Sequence, residues 1–413
     1  MGYQQGLSGL AGASNALDVI GNNIANANTV GFKSSTAQFS DMYANSIATS
    51  VNTQIGIGTA LASVQQQFGQ GTINTTNSSL DVAINGNGFF QMSNNGTITY
   101  TRDGTFQRDK NGYIVNSQGL NLMGYAADKN GVINTAQTVP LQAPTTNIAP
   151  TATTKITGQF NLNSQDTVPT KTPFDATDTT TYNYSTSIQV YDSLGGSQAV
   201  NIYFVKSAAG TWEAYAGVQG GTTNDLGTIQ FDSSGAISGT TTGSPATPTA
   251  ALGQFQFTVP NTDGSATPQT LTLDLTGTTQ YGGKDGVNNL AQDGYASGTL
   301  TTFTISTDGK LTGNYSNGQT AVLGQIALAN FNNPNGLVNI GGNQYAETAA
   351  SGVPQISVPG STNHGTLQGS ALENSNVDLT SQLVNLITAQ RNYQANAQTI
   401  KTQQTVDQTL INL

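Results

Sequence analysis

Residues 378–413 read DLTSQLVNLITAQRNYQANAQTIKTQQTVDQTLINL, a run without glycine or proline. Leu379, Leu383, Leu386, Tyr393, Ala397, Ile400 and Ile411 recur in it at steps of three and four, with Gln390, Gln404 and Asp407 at the remaining seam positions. That period predicts one long helix with a coiled-coil-like stripe. Asn376 or Asp378 is placed to cap its start. Val384, Ile387, Val406, Leu410 and Leu413 add a second apolar line. The opposite end of the chain has the same spacing: Leu10, Ala13, Leu17, Ile20, Ile24 and Ala27, stopped by 26–28 and Val30-Gly31.

The N-terminal stripe is narrow and made mostly of small residues, so it buries area only against a partner helix. The C-terminal helix is the obvious partner. Two arrangements satisfy the pattern equally: a terminal helical domain completed by neighbouring copies, or a helix pair packed on the chain's own core.

Between the ends the pattern changes. Asn95-Gly96, Asp103-Gly104, Asn111-Gly112, Asn130-Gly131, Asp263-Gly264, Asp308-Gly309 and Asn317-Gly318 punctuate short alternating segments. Such pairs favour type I′ hairpin turns. Ile188 and Val190, then Val200, Ile202 and Phe204, then Phe255, Phe257 and Val259, then Leu271, Leu273 and Leu275 alternate with mostly polar residues. This is the signature of antiparallel β-structure with one wet face. A Pro- and Thr-bearing stretch at 139–154 reads as a linker. The expected class is mainly β with an α-helical terminal domain and nested antiparallel β domains. The expected division is 1–28 with 373–413 as the helical assembly domain and 29–71 as a poorly periodic connector. Residues 72–145 with 286–372 form an inner β domain, and 146–285 an inserted outer β domain.

Composition narrows the function. Only 8% of the 413 residues are charged, against about a quarter in ordinary proteins. The formal net charge is −10 with 12 Lys plus Arg, which do not cluster. Nucleic acid and anionic membrane surfaces are therefore not expected partners. There is no cysteine, which excludes disulfides and thiolate chemistry. No stretch has the length of a membrane-spanning helix. Residues 1–16 lack the features of a cleaved leader, so either cytoplasmic residence or export without cleavage is expected.

No catalytic, cofactor or metal site is expected. Asp109-Lys-Asn-Gly and Asp128-Lys-Asn-Gly resemble the start of a calcium loop, but no bidentate Glu follows at the twelfth position. Hairpin turns explain both better. His364 is the single histidine and lies in a loop-like Ser-Thr-Asn-His-Gly context without a nucleophile motif. The glutamates are Glu213, Glu347 and Glu373, and nothing pairs them for acid–base work.

Several blocks resemble the bacterial flagellar rod and hook family of axial proteins. They are LDVIGNNIANANTVGFK at 17–33, SLDVAINGNGFF at 79–90, YTRDGTF at 100–106 continued by GYIVN at 112–116, and LENSNVDL at 372–379 followed by AQRNYQANA at 389–397. The stretches DGY at 293–295, YSNGQ at 315–319, LGQIAL at 323–328 and FNNPNGL at 331–337 are similar to the hook-forming branch. The resemblance implies a non-enzymatic structural subunit that polymerises into a curved, flexible hollow tube, a universal joint between basal-body rod and filament. It implies export by the flagellar type III apparatus and an extracellular position. Beyond its own copies, the implied partners are the distal rod protein, the hook–filament junction protein and the hook cap protein. Assembly would rest on Leu10, Ala13, Leu17, Ile20, Ile24, Leu379, Leu383, Leu386, Ile387, Tyr393, Ala397 and Ile400. A distal rod subunit of the same family and a secreted carbohydrate-binding β protein are the alternatives.

Overall fold

The computed structural model describes residues 2–43, 56–128, 130–144, 146–243 and 251–411; the middle of the expected connector and Leu413 lie outside these. The chain divides into two units. One comprises Met1–Thr145, Thr301–Asn314 and Thr320–Leu413; the other comprises Thr146–Leu300 and Tyr315–Gln319.

In the first unit, helix α1 (Gly2–Ala25) and helix α2 (Leu379–Ile411) pair. Asp378 is the cap of α2, accepting from the Thr380 amide at 2.9 Å. Asn376 is used elsewhere. The expected connector instead holds a long antiparallel ribbon, β1 (Ser35–Tyr43) with β2 (Gly56–Gln66), bulged between Gln38 and Phe39. Its alternation was hidden because the ribbon is half-wet on both faces, and its bulky residues, Phe39, Met42, Leu61 and Val64, are sparse among Ser, Thr, Gln and Ala and stay exposed. The remainder of this unit is largely β. Its main sheet runs through Lys310–Tyr315, Thr320–Ile326, Asn121–Ala126, Phe89–Asn94, Thr97–Thr101, Gln344–Ala346 and Val338–Gly341. Val82, Ile84, Phe90, Met92, Leu122 and Leu328 form its buried centre. A second cluster is aromatic: Phe89 meets Phe331 and Tyr345 edge-on at 6.0 and 5.8 Å, and Tyr100 meets Phe331 at 4.8 Å.

The second unit is a sandwich. Strands Tyr184–Tyr191, Ser197–Ala208, Thr211–Val218, Thr223–Phe231 and Ile237–Thr242 form an antiparallel meander. The facing sheet is mixed: Lys155–Asn163 pairs parallel with Gln269–Asp274 and Thr279–Tyr281, and antiparallel with Gly286–Gln292. Parallel pairing departs from the all-antiparallel expectation, and it is possible because the whole meander lies between the parallel partners in sequence. Strand Gly286–Gln292 also corrects the boundary drawn at 285, since its ladder partner belongs to this unit. Both sheets bury one core, with Ile202, Phe204, Trp212, Phe257, Leu271 and Leu273 nearly or fully inaccessible.

The turns differ from expectation. Among the expected pairs only Asn95-Gly96 is a two-residue loop with both φ positive (49° and 99°), joining the Asn94–Thr97 pair; Gly342-Asn343 (59° and 58°), which joins Gly341 to Gln344, is a second such loop with the glycine first. At Asn111-Gly112, Asn130-Gly131, Asp308-Gly309 and Asn317-Gly318 only the glycine has positive φ. Its N–H closes on the carbonyl three residues back, as in Gly112 to Asp109 at 3.1 Å. In the first two turns the cause is the Asp that opens them: Asp109 Oδ1 also accepts from the Asn111 and Tyr113 amides, and Asp128 Oδ1 from the Asn130 and Val132 amides, which fixes a type I turn. Asp103-Gly104 is not a hairpin turn; the Gly104 carbonyl accepts from the Val82 amide.

Candidate assembly surface at the chain ends

Helices α1 and α2 run antiparallel and meet at small residues. A Cβ on Gly6 would lie 2.8 Å from Ile400 Cγ1, and one on Gly9 would lie 2.7 Å from Asn396 Oδ1. Side chains of α2 thus lie directly over the bare backbone of α1 at these positions. Ala13 and Ala389 fill the next turns and are buried. Amides complete the seam: Gln404 Nε2 donates to Tyr3 Oη at 3.0 Å, and Asn23 Nδ2 to Gln382 Oε1 at 3.3 Å. Asn23, 1% exposed, also exchanges two bonds with the backbone of Ser35 and so ties α1 to β1. Gln5 Nε2 donates to the Gly56 carbonyl and ties α1 to β2.

Of the residues expected to carry packing, Ala13 is buried; Leu10, Leu17, Ile20, Ile24, Leu386, Ala397 and Ile400 are half-buried. Leu379, Leu383, Ile387 and Tyr393 are exposed. The stripe of α2 that is least exposed runs Gln382, Leu386, Ala389, Asn396, Ala397, Ile400 and Gln403. It keeps the 386, 397 and 400 positions of the expected seam and replaces 383, 390 and 404 by the series one residue earlier. The reason lies in α1, where Ile400 and Asn396 lie directly over Gly6 and Gly9, while Gly12 faces Thr59 and Phe39 of the ribbon. The three-residue spacing of Gly6 and Gly9 was the signal for this seam. As a result Leu379, Leu383, Val384, Ile387, Val406, Leu410 and Ile411 stay between 44% and 82% exposed on one helix. That is a far larger apolar surface than scattered single residues account for.

Below the helices, three segments distant in sequence meet at one carboxylate. Glu373 Oε1 accepts from Lys33 Nζ at 2.6 Å and from the Gly71 amide at 2.8 Å. Its Oε2 accepts from Arg102 Nη1 at 3.2 Å, and its backbone carbonyl accepts from the Gly31 amide at 2.8 Å. All three ionic side chains are buried. Lys33 Nζ and Arg102 Nη2 find further acceptors in the carbonyls of Gly69 and Gly86. Burial lowers the pKa of both cations; the Arg102 charge adds to this at Lys33, and Glu373 opposes it at each. Asn376 sits one step on, accepting from the Ser34 amide and donating to the Gln67 and Gly69 carbonyls. Tyr345, close by in the aromatic cluster, has its phenol pushed up to about 12, by burial. The Tyr100 phenol is also raised, by burial and then by its hydrogen bond to Glu347.

The residues weighed for chemistry are engaged in local structure. Asp109 and Asp128 each spend Oδ1 on two backbone amides of their own turn. The His364 ring lies against the carbonyls of Thr362 and Gln355 at 3.0 and 2.9 Å. Among the described residues, no group of three or more His, Asp or Glu could hold a metal ion, and no helix is long and apolar enough to cross a membrane.

Comparison with known proteins places these features in a family. The model described as "Flagella basal body rod protein" matches 4–33, and "Flagellar hook protein FlgE/F/G D1 domain" matches 83–157. "Flagellar basal body protein FlaE D2 domain" matches 161–295, and "Flagellar basal body rod FlgEFG protein C-terminal" matches 368–413. The chain is 42% identical over 424 aligned residues to the flagellar hook protein FlgE of Salmonella typhimurium, covering all of both chains. It is equally identical to FlgE of Escherichia coli K12 over 423 residues, again end to end. It is 33% identical to FlgE of Treponema pallidum, covering 99% of this chain and 98% of that one.

Proposed function

The chain belongs to the flagellar hook protein family, and from that premise we propose that its exposed α2 face is the surface through which copies join. It is a structural subunit of the flagellar hook. Full-length identity to hook proteins sets aside the rod-subunit and carbohydrate-binding alternatives.

The observation that carries the proposal is the uncovered line from Leu379 to Ile411. Within the chain, Leu10, Ala13, Leu17, Ile20, Ile24, Leu386, Ala397 and Ile400 hold the helix pair together. Leu379, Leu383, Ile387 and Tyr393 face outward and pack on neighbouring copies. Head-to-tail contacts of this kind do not close on themselves and generate a helical tube. In this reading the helical ends form one layer of the tube, residues 72–145 with most of 286–372 a second, and the inserted sandwich a third. The tube is curved and hollow, links rod to filament and transmits torque. Its end partners are the distal rod protein, the junction protein and the cap protein. The subunit leaves the cell through the flagellar type III apparatus and works outside it.

The test compares the full chain with Leu383→Asp/Ile387→Asp, both driven to assemble by a precipitating salt and viewed by negative-stain electron microscopy. Curved tubes from the parent are expected. The variant stays monomeric with an unchanged circular dichroism spectrum, because both side chains are already in water in the monomer. Normal tubes from the variant would remove α2 from the assembly surface.

A further inference from the structure

The Asn-Gly pairs differ in one respect that matters to the side chain itself. An asparagine followed by glycine is chemically labile when the glycine amide nitrogen is free to reach the side-chain carbonyl. The sequence holds seven such pairs, at Asn85, Asn87, Asn95, Asn111, Asn130, Asn317 and Asn335. In five of them the glycine N–H is already committed. Gly112, Gly131, Gly318 and Gly336 donate to backbone carbonyls at 2.9–3.1 Å, and Gly86 donates to Gln70 Oε1 at 3.0 Å. Gly88 is buried. At the tip of the 89–101 hairpin both Asn95 and Gly96 are exposed, and a Cβ on Gly96 would meet nothing within 4 Å. The ladder closes across Asn94 and Thr97, so the Gly96 amide serves no backbone acceptor; its one contact is Ser93 Oγ at a long 3.3 Å.

We propose that Asn95 is a site of spontaneous modification, converted by intramolecular attack and hydrolysis to aspartate and isoaspartate. The Gly96 amide gives its proton to solvent hydroxide, and its nitrogen bonds to Asn95 Cγ. The Cγ–Nδ2 bond breaks, and ammonia leaves with a proton from water. The resulting five-membered imide is opened by water at one of its two carbonyls. Opening at Cγ restores the normal linkage with an aspartate side chain. Opening at the former backbone carbonyl routes the main chain through the side chain. Water enters, ammonia leaves, and no oxidant or cofactor is needed. Either product places a new carboxylate at the hairpin tip, charged at neutral pH. The isoaspartyl product also adds one carbon to a two-residue loop whose geometry depends on φ of 49° and 99°.

The test is peptide mapping by mass spectrometry of the full chain held folded at mildly alkaline pH, with a parallel sample unfolded in urea. In the folded sample Asn95 is expected to convert about tenfold faster than Asn111, Asn130, Asn317 or Asn335, the factor that corresponds to opening one backbone hydrogen bond of typical strength. In urea the rates converge. Equal rates in the folded chain, or the same ranking in urea, would overturn the proposal. A second arm uses Asp109→Ala, which removes the acceptor of the Asn111 and Tyr113 amides and loosens the turn that holds Gly112. Conversion at Asn111 should rise toward that of Asn95. No rise would show that turn hydrogen bonding does not set the difference.

Discussion

Glu373 provides one carboxylate for two buried cations, and it also receives the Gly71 amide. Removing one member of a buried ionic set leaves the others without compensation and costs about 3–5 kcal/mol. Glu373→Gln is therefore expected to lower the unfolding free energy of the first unit by about that amount, read as a shifted midpoint in urea. An unshifted midpoint would mean that Lys33 and Arg102 are stabilised by their carbonyl acceptors alone. The buried phenols predict an alkaline limit. Tyr345 ionises near pH 10 when unfolded and near 12 when folded. Its contribution is whole below pH 10 and is lost as pH rises toward 12. Lys33 has the opposite sign: burial favours its neutral form, so its cost fades as pH approaches 10.5. Tyr345→Phe should flatten the decline between pH 10 and 12 in a pH series of melting temperatures, and an unchanged slope would contradict this. None of these groups stood out in sequence. Glu373 was one of three glutamates with no visible partner, because its partners lie hundreds of positions away.

At the scale of elements, the α1–α2 contact lays α2 side chains over glycines of α1. In an exposed helix Gly→Ala stabilises by about 1 kcal/mol. At Gly9 the added methyl meets the end of the Asn396 side chain, which can turn aside, so Gly9→Ala should be nearly neutral. Gly9→Leu cannot be relieved in that way, and the two helices should part with loss of far-UV helical signal. Unchanged helicity in Gly9→Leu would show that the close approach is not needed. Asp378→Ala should cost about 1 kcal/mol through the lost cap. Both helices and the core strands were legible because leucine, phenylalanine and isoleucine mark periods of 3.6 and 2. The inward stripe of α2 was not, because Gln382, Ala389, Asn396 and Gln403 give no hydropathy signal. The ribbon escaped for the same reason: it has no fully buried face to impose alternation.

For the whole molecule, the two units have separate cores, and the single tryptophan, Trp212, lies in the second. Its fluorescence reports the sandwich, while helical circular dichroism reports α1 and α2. Leu273→Ala should cost about 2–5 kcal/mol and move only the fluorescence transition; a shift in both signals would mean that the units unfold together. The pairing of Lys33 with Glu373 spans 340 residues. Closing an open loop of that length costs about 5 kcal/mol. That cost is shared with the ladder in which strand Ile73–Thr75 pairs with Ala371–Glu373, since one closure brings both contacts together. The consequence is one of timing. A chain emerging amino end first can set α1 against the β1–β2 ribbon early, but the helix pair stays open until the last segment brings α2. A prematurely terminated copy never closes. Closure of the ends thus acts as an inspection for completeness, performed by the fold before a subunit can take its place.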